Sequence, residues 1–176
     1  MLHQTFVLLS LTLGLVACVT PIHQQPVPPT DPSLDLKNTP LASRLPIPVV
    51  GVKPQQLQDT WGAARGNGRR HEGIDIMAPR GSKVISTTEG IVADLRNNNL
   101  GGKVIWLLGP NSSWHYYAHL DAHRLDLKVG DYIRRGEHIG YVGNTGNAES
   151  TAPHLHYGLY LQGKGRGAVN PFLYLR

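Results

Sequence analysis

Cysteine is almost missing from this chain: a single residue, Cys18, among 176. One thiol cannot close an internal disulfide, so a disulfide-stapled scaffold is excluded. Charge is missing from residues 1–18, which contain no Lys, Arg, Asp or Glu. Helical periodicity is scarce from about Gln55 onward, where no segment of that period reaches a dozen residues. Basic stripes interleaved with aromatics are lacking, so nothing points to nucleic acid. Over residues 55–176 the formal charge is 14 basic minus 10 acidic, or +4. So small an excess suits an anionic wall or membrane surface, and equally an ordinary soluble domain.

What the first segment does contain is an apolar run from Phe6 to Val16. It is short for a bilayer span but has the length of a signal-peptide core. The run ends at Leu15-Val16-Ala17-Cys18. Leu-Val-Ala-Cys behind an apolar core resembles the lipobox of bacterial lipoproteins, although Met1 to Gln4 lack the usual Lys or Arg. That resemblance implies a signal peptide over 1–18, with Cys18 becoming the lipid-modified first residue of an exported, envelope-anchored protein. Val19 stands where inner-membrane lipoproteins often carry Asp. An outer-membrane anchor facing the periplasm is therefore expected, if the source has that membrane.

Residues 19–54 hold nine of the thirteen prolines and little apolar periodicity. The composition predicts an extended, disordered tether with a reach on the order of 100 Å. The folded domain is expected over 55–176.

Within it, "RRHEGIDIMAP" (residues 69–79) places Glu72 directly after His71 and Asp75 four residues after it. A helical zinc-protease motif would need an unbroken helix to bring residues i and i+4 onto one face. Gly73 and Pro79 bound a short alternation, Ile74 and Ile76 against Asp75, which reads as a strand. Further strands are predicted at 83–87, 90–93, 103–108, 114–120, 138–142 and 154–161, separated by clusters such as Asn97-Asn98-Asn99 and Gly143-Asn144-Thr145-Gly146. The expected fold is mostly β, an antiparallel β-sandwich. The stretch 129–140 resembles the hairpin of lipoyl and biotinyl carriers. No Lys lies between Lys128 and Lys164 to be modified there, so a carrier role is disfavoured.

Nine histidines are present, and their placement matters. On a strand, His154 and His156 face one way, with Leu155, Tyr157, Leu159 and Leu161 on the opposite, buried face. By the same rule Tyr117 and His119 share a face. Glu72 would face away from His71 and Asp75. A catalytic zinc site wants three protein ligands, commonly imidazole or carboxylate, and an open position for water. Two neutral His and one Asp would leave the centre a good Lewis acid. Two further His could then manage protons.

"RHEGIDIMAPRGSKV", "YYAHL" and "GNTGNAESTAPHLHYGLY", in this order, resemble the lysostaphin/LytM-type zinc metallopeptidases, the beta-lytic metallopeptidase family. The resemblance covers nearly all of 59–174. It implies a β-sandwich with a groove over one Zn2+ per chain, held by His71, Asp75 and His156. It makes His119 and His154 catalytic without binding the metal, and peptidoglycan peptide bonds the substrate. Spacing alone does not say which of His154 and His156 binds metal. His115, His123 and His138 match no motif position and read as surface or turn residues. Non-enzymatic relatives, such as amidase activators, typically lack several ligands. All five positions are filled here, which favours an endopeptidase over a docking factor.

Overall fold

A computed structural model describes residues 32–175. Cys18, the predicted signal peptide and the start of the tether lie outside the described residues. Among those described, the one α-helix is α1 (Pro32–Asn38). Nine strands follow: β1 (Ile74–Met77), β2 (Lys83–Ile85), β3 (Gly90–Asn98), β4 (Gly102–Leu108), β5 (Trp114–His123), β6 (Tyr132–Ile133), β7 (His138–Val142), β8 (His154–Tyr160) and β9 (Ala168–Val169). The mostly β architecture expected from the short alternating runs is what the chain adopts.

All strand pairs are antiparallel and belong to one hydrogen-bonded sheet, in the order β1-β8-β5-β4-β3-β6. The sheet forks at β5: Trp114 to Ala118 pair with β8, whereas Leu120 to His123 pair with β7, which in turn pairs with β2. Both arms feed one buried cluster. Val84, Ile139 and Val142 come from the β2/β7 arm, and Ile74, Ile76, Leu155 and Leu159 from β1 and β8. The two faces of the expected sandwich are thus joined through a shared strand.

Three sequence expectations need correction. The tether does not run to residue 54: Leu45 and Val49 are each 1% exposed and belong to the core with Ile47. Leu45 bridges Leu175, its N–H donates to the Tyr174 carbonyl (2.8 Å), and Val50 N–H donates to the Lys83 carbonyl (3.0 Å). The proline count concealed a period-two pattern, Leu45, Ile47 and Val49, with Pro46 and Pro48 at positions that need no ladder N–H. Burying each of these apolar side chains is worth about 1.5–3 kcal/mol, enough to fix a Pro-rich segment. Second, β3 runs on through Asn97 and Asn98, because Asn98 pairs with Gly102 and its side chain accepts the N–H groups of Leu100 (3.0 Å) and Gly101 (2.7 Å). Third, β8 stops at Tyr160, and Leu161 is exposed rather than buried.

Candidate metal centre

Register brings the site together. In the β1/β8 ladder Asp75 lies directly opposite His156 and Met77 opposite His154; in the β5/β8 ladder Ala118 lies opposite His156. Three neighbouring strands thus offer these residues to one face. His71 precedes β1 in a loop held by backbone bonds, its N–H to the Ala63 carbonyl (2.9 Å) and Gly62 N–H to its own carbonyl (3.0 Å). Between His71 and β1 sits Gly73. A Cβ there would lie 2.5 Å from the Tyr157 carbonyl oxygen and 2.8 Å from the His156 ring, so only glycine lets the chain pass this close.

His71 Nε2, His156 Nδ1 and Asp75 Oδ1 form a triangle with edges of 2.8, 3.1 and 3.2 Å. Ligand atoms ~2.0–2.1 Å from a tetrahedral ion stand about 3.3 Å apart. The triangle is therefore slightly tighter than one face of such a tetrahedron, and two imidazoles plus one carboxylate are a suitable donor set. Among the described residues, His71, Asp75 and His156 are the cluster that could hold a metal ion.

Neighbouring groups fix the donors. His71 Nδ1 donates to the Thr60 carbonyl (2.7 Å), which leaves Nε2 as the lone-pair nitrogen. The Thr60 hydroxyl accepts the Asp75 backbone N–H (3.0 Å). Arg65 pairs with the outer oxygen of Asp75, Oδ2, so Oδ1 alone turns to the histidines. Burial opposes ionisation of Asp75, but hydrogen bonds and charge from His156 and His71 prevail and hold its carboxyl well below the usual range. Burial pushes His156 down, toward the neutral form that a metal requires.

His119 and His154 stand beside this cluster, their ring centroids 5.0 Å apart, with His119 6.0 Å from His156. His119 Nδ1 donates to the Thr145 carbonyl and His154 Nδ1 to the Ala152 carbonyl, each at 2.9 Å. A carbonyl only accepts, so in its neutral form either ring keeps Nε2 unprotonated. Burial is the main cause that lowers the pKa of His119, to about 4.

Tyr117 and His119 do not share a face. Between Tyr117 and Leu120 the β5 register against β4 slips, and His119 takes a left-handed backbone with φ 60°. Such a bulge re-aims a side chain at a cost of about 1–2 kcal/mol for a residue with a Cβ. The bond from His119 N–H to the Gly101 carbonyl (2.8 Å) offsets part of it. The flip lets His119 join Tyr116 and Ala118 on the groove side, while Tyr117 stays in the core.

The groove has a volume of about 600 Å3, and its lining includes Arg65, Arg69 and Arg70 from one loop, with Tyr116 and Tyr160. Sequence reading missed these five. Tyr160 follows His154 and His156 at period two on β8, and Tyr116 precedes Ala118 on β5, so both were within reach of alternation. The arginines lie in a loop and carried no such signal. Glu72, expected to face away, contributes to the groove wall. It makes no ion pair with the cluster among the described residues.

His115 is a buried core residue, not a surface one. It is 0% exposed and bonded to Tyr157 Oη (2.8 Å), Thr87 Oγ1 (3.0 Å) and Ser113 Oγ (3.0 Å). Burial pushes its pKa down to about 3. His123 and His138 are part-buried, each with a ring nitrogen 3.0 Å from a backbone carbonyl oxygen, of Val104 and Gly140 respectively.

Residues 69–171 match the family model "Peptidase family M23". An L-Ala–D-Glu endopeptidase of Bacillus subtilis is 39% identical over 127 residues, 68% of this chain and 39% of that protein. Lysostaphin of Staphylococcus simulans is 38% identical over 93 residues, 52% of this chain and 18% of that protein. The chain therefore spans well under half the length of either relative. Among solved structures, the catalytic domain of lysostaphin superimposes with a TM-score of 0.60 at 30% identity, covering 68% of this chain and 94% of that domain. Csd3 of Helicobacter pylori gives 0.59 at 32% identity, covering 76% of this chain and 33% of that one.

Proposed function

The chain belongs to peptidase family M23, and on that footing we propose that it is a zinc-dependent endopeptidase cleaving peptide bonds in bacterial peptidoglycan. The observation that carries this reading is the convergence of His71 Nε2, Asp75 Oδ1 and His156 Nδ1, all within 3.2 Å of one another, beside two imidazoles in an open groove. Relatives named as an L-Ala–D-Glu endopeptidase and as a peptidoglycan DD-endopeptidase support the substrate class.

His71, Asp75 and His156 would hold one Zn2+. Bound there, the ion supplies Lewis acidity that polarises a carbonyl and lowers the pKa of a water toward about 7. His119 and His154 stay outside the ligand set and handle protons. In the neutral form each presents an unprotonated Nε2, because its Nδ1–H is committed to a backbone carbonyl. One of them takes a proton from the attacking water at Nε2 and thereby carries N–H at both nitrogens. That N–H can then hydrogen-bond the developing oxyanion or protonate the leaving amine. Burial, which lowers the pKa of His119, keeps its ring neutral at pH 7.

We place the anchor at Cys18, as its lipobox-like setting implies, so that the domain works in the cell envelope. Mass spectrometry of the mature N-terminus tests that point. For the peptidase itself, His156→Ala in the full chain is expected to abolish both zinc retention and release of muropeptides from purified sacculi. Unchanged release would overturn the reading.

A further inference from the structure

We propose that the arginine wall of the groove reads a free carboxylate on the substrate, so that the enzyme prefers acidic stem peptides to neutral ones. This inference rests on the peptidase reading above and deepens it. Residues 64–70 form a small hairpin, closed by the Ala64–Arg70 bridge and by Arg65 N–H donating to the Arg69 carbonyl (2.9 Å). From this hairpin Arg65, Arg69 and Arg70 all contribute to the groove's lining. Their situations differ. Arg65 is committed to Asp75. Arg69 spends Nε on the Gly66 carbonyl (3.2 Å), and Arg70 spends Nη1 on the Gly62 carbonyl (3.1 Å).

Those two bonds hold the guanidinium groups in place without neutralising them. Neither Arg69 nor Arg70 forms an ion pair among the described residues, and both are exposed. Of the groove's acidic residues, Asp75 is taken up by the metal cluster and Arg65, which leaves Glu72 as one negative charge against two positive ones. Guanidinium forks bind carboxylates in matched pairs of N–H···O bonds, and a partly enclosed basic wall draws anions in. Stem peptides carry such groups: the α-carboxylate left free at a γ-linked D-Glu, and the side-chain carboxylate of a diacidic diamino residue. Glycine bridges carry none.

The test uses the full-length, zinc-loaded protein. The muropeptide that it consumes in a digest of sacculi is prepared with each carboxyl either free or converted to the amide. Amidating the recognised carboxyl is expected to lower kcat/KM by about tenfold to a hundredfold, mainly through KM. Which amidation has the effect identifies the source of the carboxylate. In the Arg69→Ala, Arg70→Ala double variant, acid and amide forms should be cleaved within about twofold of each other, and the paired Lys substitutions should restore part of the preference. Amidation without effect at every position, or a preference that survives the double variant, overturns the inference while leaving the peptidase reading intact. If the wild type consumes no muropeptide, both fall.

Discussion

Gly73→Ala probes the geometry of the candidate metal site without touching a proposed ligand. The new Cβ would stand 2.5 Å from the Tyr157 carbonyl oxygen and 2.8–2.9 Å from two atoms of the His156 ring. Ordinary carbon–oxygen contact needs about 3.5 Å, so β1 and β8 must separate locally by roughly 1 Å, or the His156 ring must swing aside. Neither response suits a triangle whose longest edge is 3.2 Å, because metal sites tolerate only about 0.2 Å in ligand distance. Overpacking of this kind costs about 1–3 kcal/mol, which in a chain of this size lowers Tm by roughly 2–12 °C. Loss of ligand orientation should weaken zinc binding by about ten- to a hundredfold, and the zinc-dependent gain in stability should shrink by about 1.4–2.7 kcal/mol. Thermal melts of the metal-free and zinc-loaded protein, with a competition titration against a chromogenic chelator, measure both quantities. Wild-type zinc affinity in Gly73→Ala would show that close passage of the β1 entry over His156 does not set the ligand geometry.

Leu45→Ala should cost about 2–4 kcal/mol in urea denaturation because Leu45 is 1% exposed. Val50→Ala, at a position 54% exposed, should change stability by less than about 0.5 kcal/mol; similar values for the two would return this segment to the tether. His119→Ala and His154→Ala should each lower kcat by about 10²–10⁴ while a full equivalent of zinc is retained, and loss of the metal in either would make that residue a ligand. The pH dependence follows from His115, whose folded pKa of about 3 lies below its unfolded value of about 6.5. Between these values the unfolded chain binds more protons, so the stability is fully present above pH ~6.5 and is lost as pH falls toward 3. His115→Gln should remove up to about 1.4 kcal/mol per pH unit of that slope, as read from denaturant midpoints between pH 7 and 4.5.

The strands were readable because alternation is a local property. His154 to Tyr160 carry their faces in plain order, and Ile74 to Met77 likewise. His71, Asp75, His119, His154 and His156 were named through a family resemblance. The structure brings the five together by two devices of different visibility. Cross-strand register at Asp75 and His156 depends on which strands pair, which no single segment states. The bulge at His119 reverses the face that period two assigns, and its cause lies in contacts with Gly101 and Thr145, 18 and 26 residues away. The buried setting of His115 was hidden for a similar reason, since its partners Thr87 and Tyr157 are 28 and 42 residues distant. Residues 45–49 were misread because proline content outweighed a five-residue alternation.

The bridge between Leu45 and Leu175 has a consequence for architecture. The segment ahead of the first strand and the segment after the last meet side by side at a buried position, so the packed body resembles a bead whose two threads are tied together. Splicing such a bead into a larger polypeptide demands only two adjacent seams and leaves the opposite rim unencumbered.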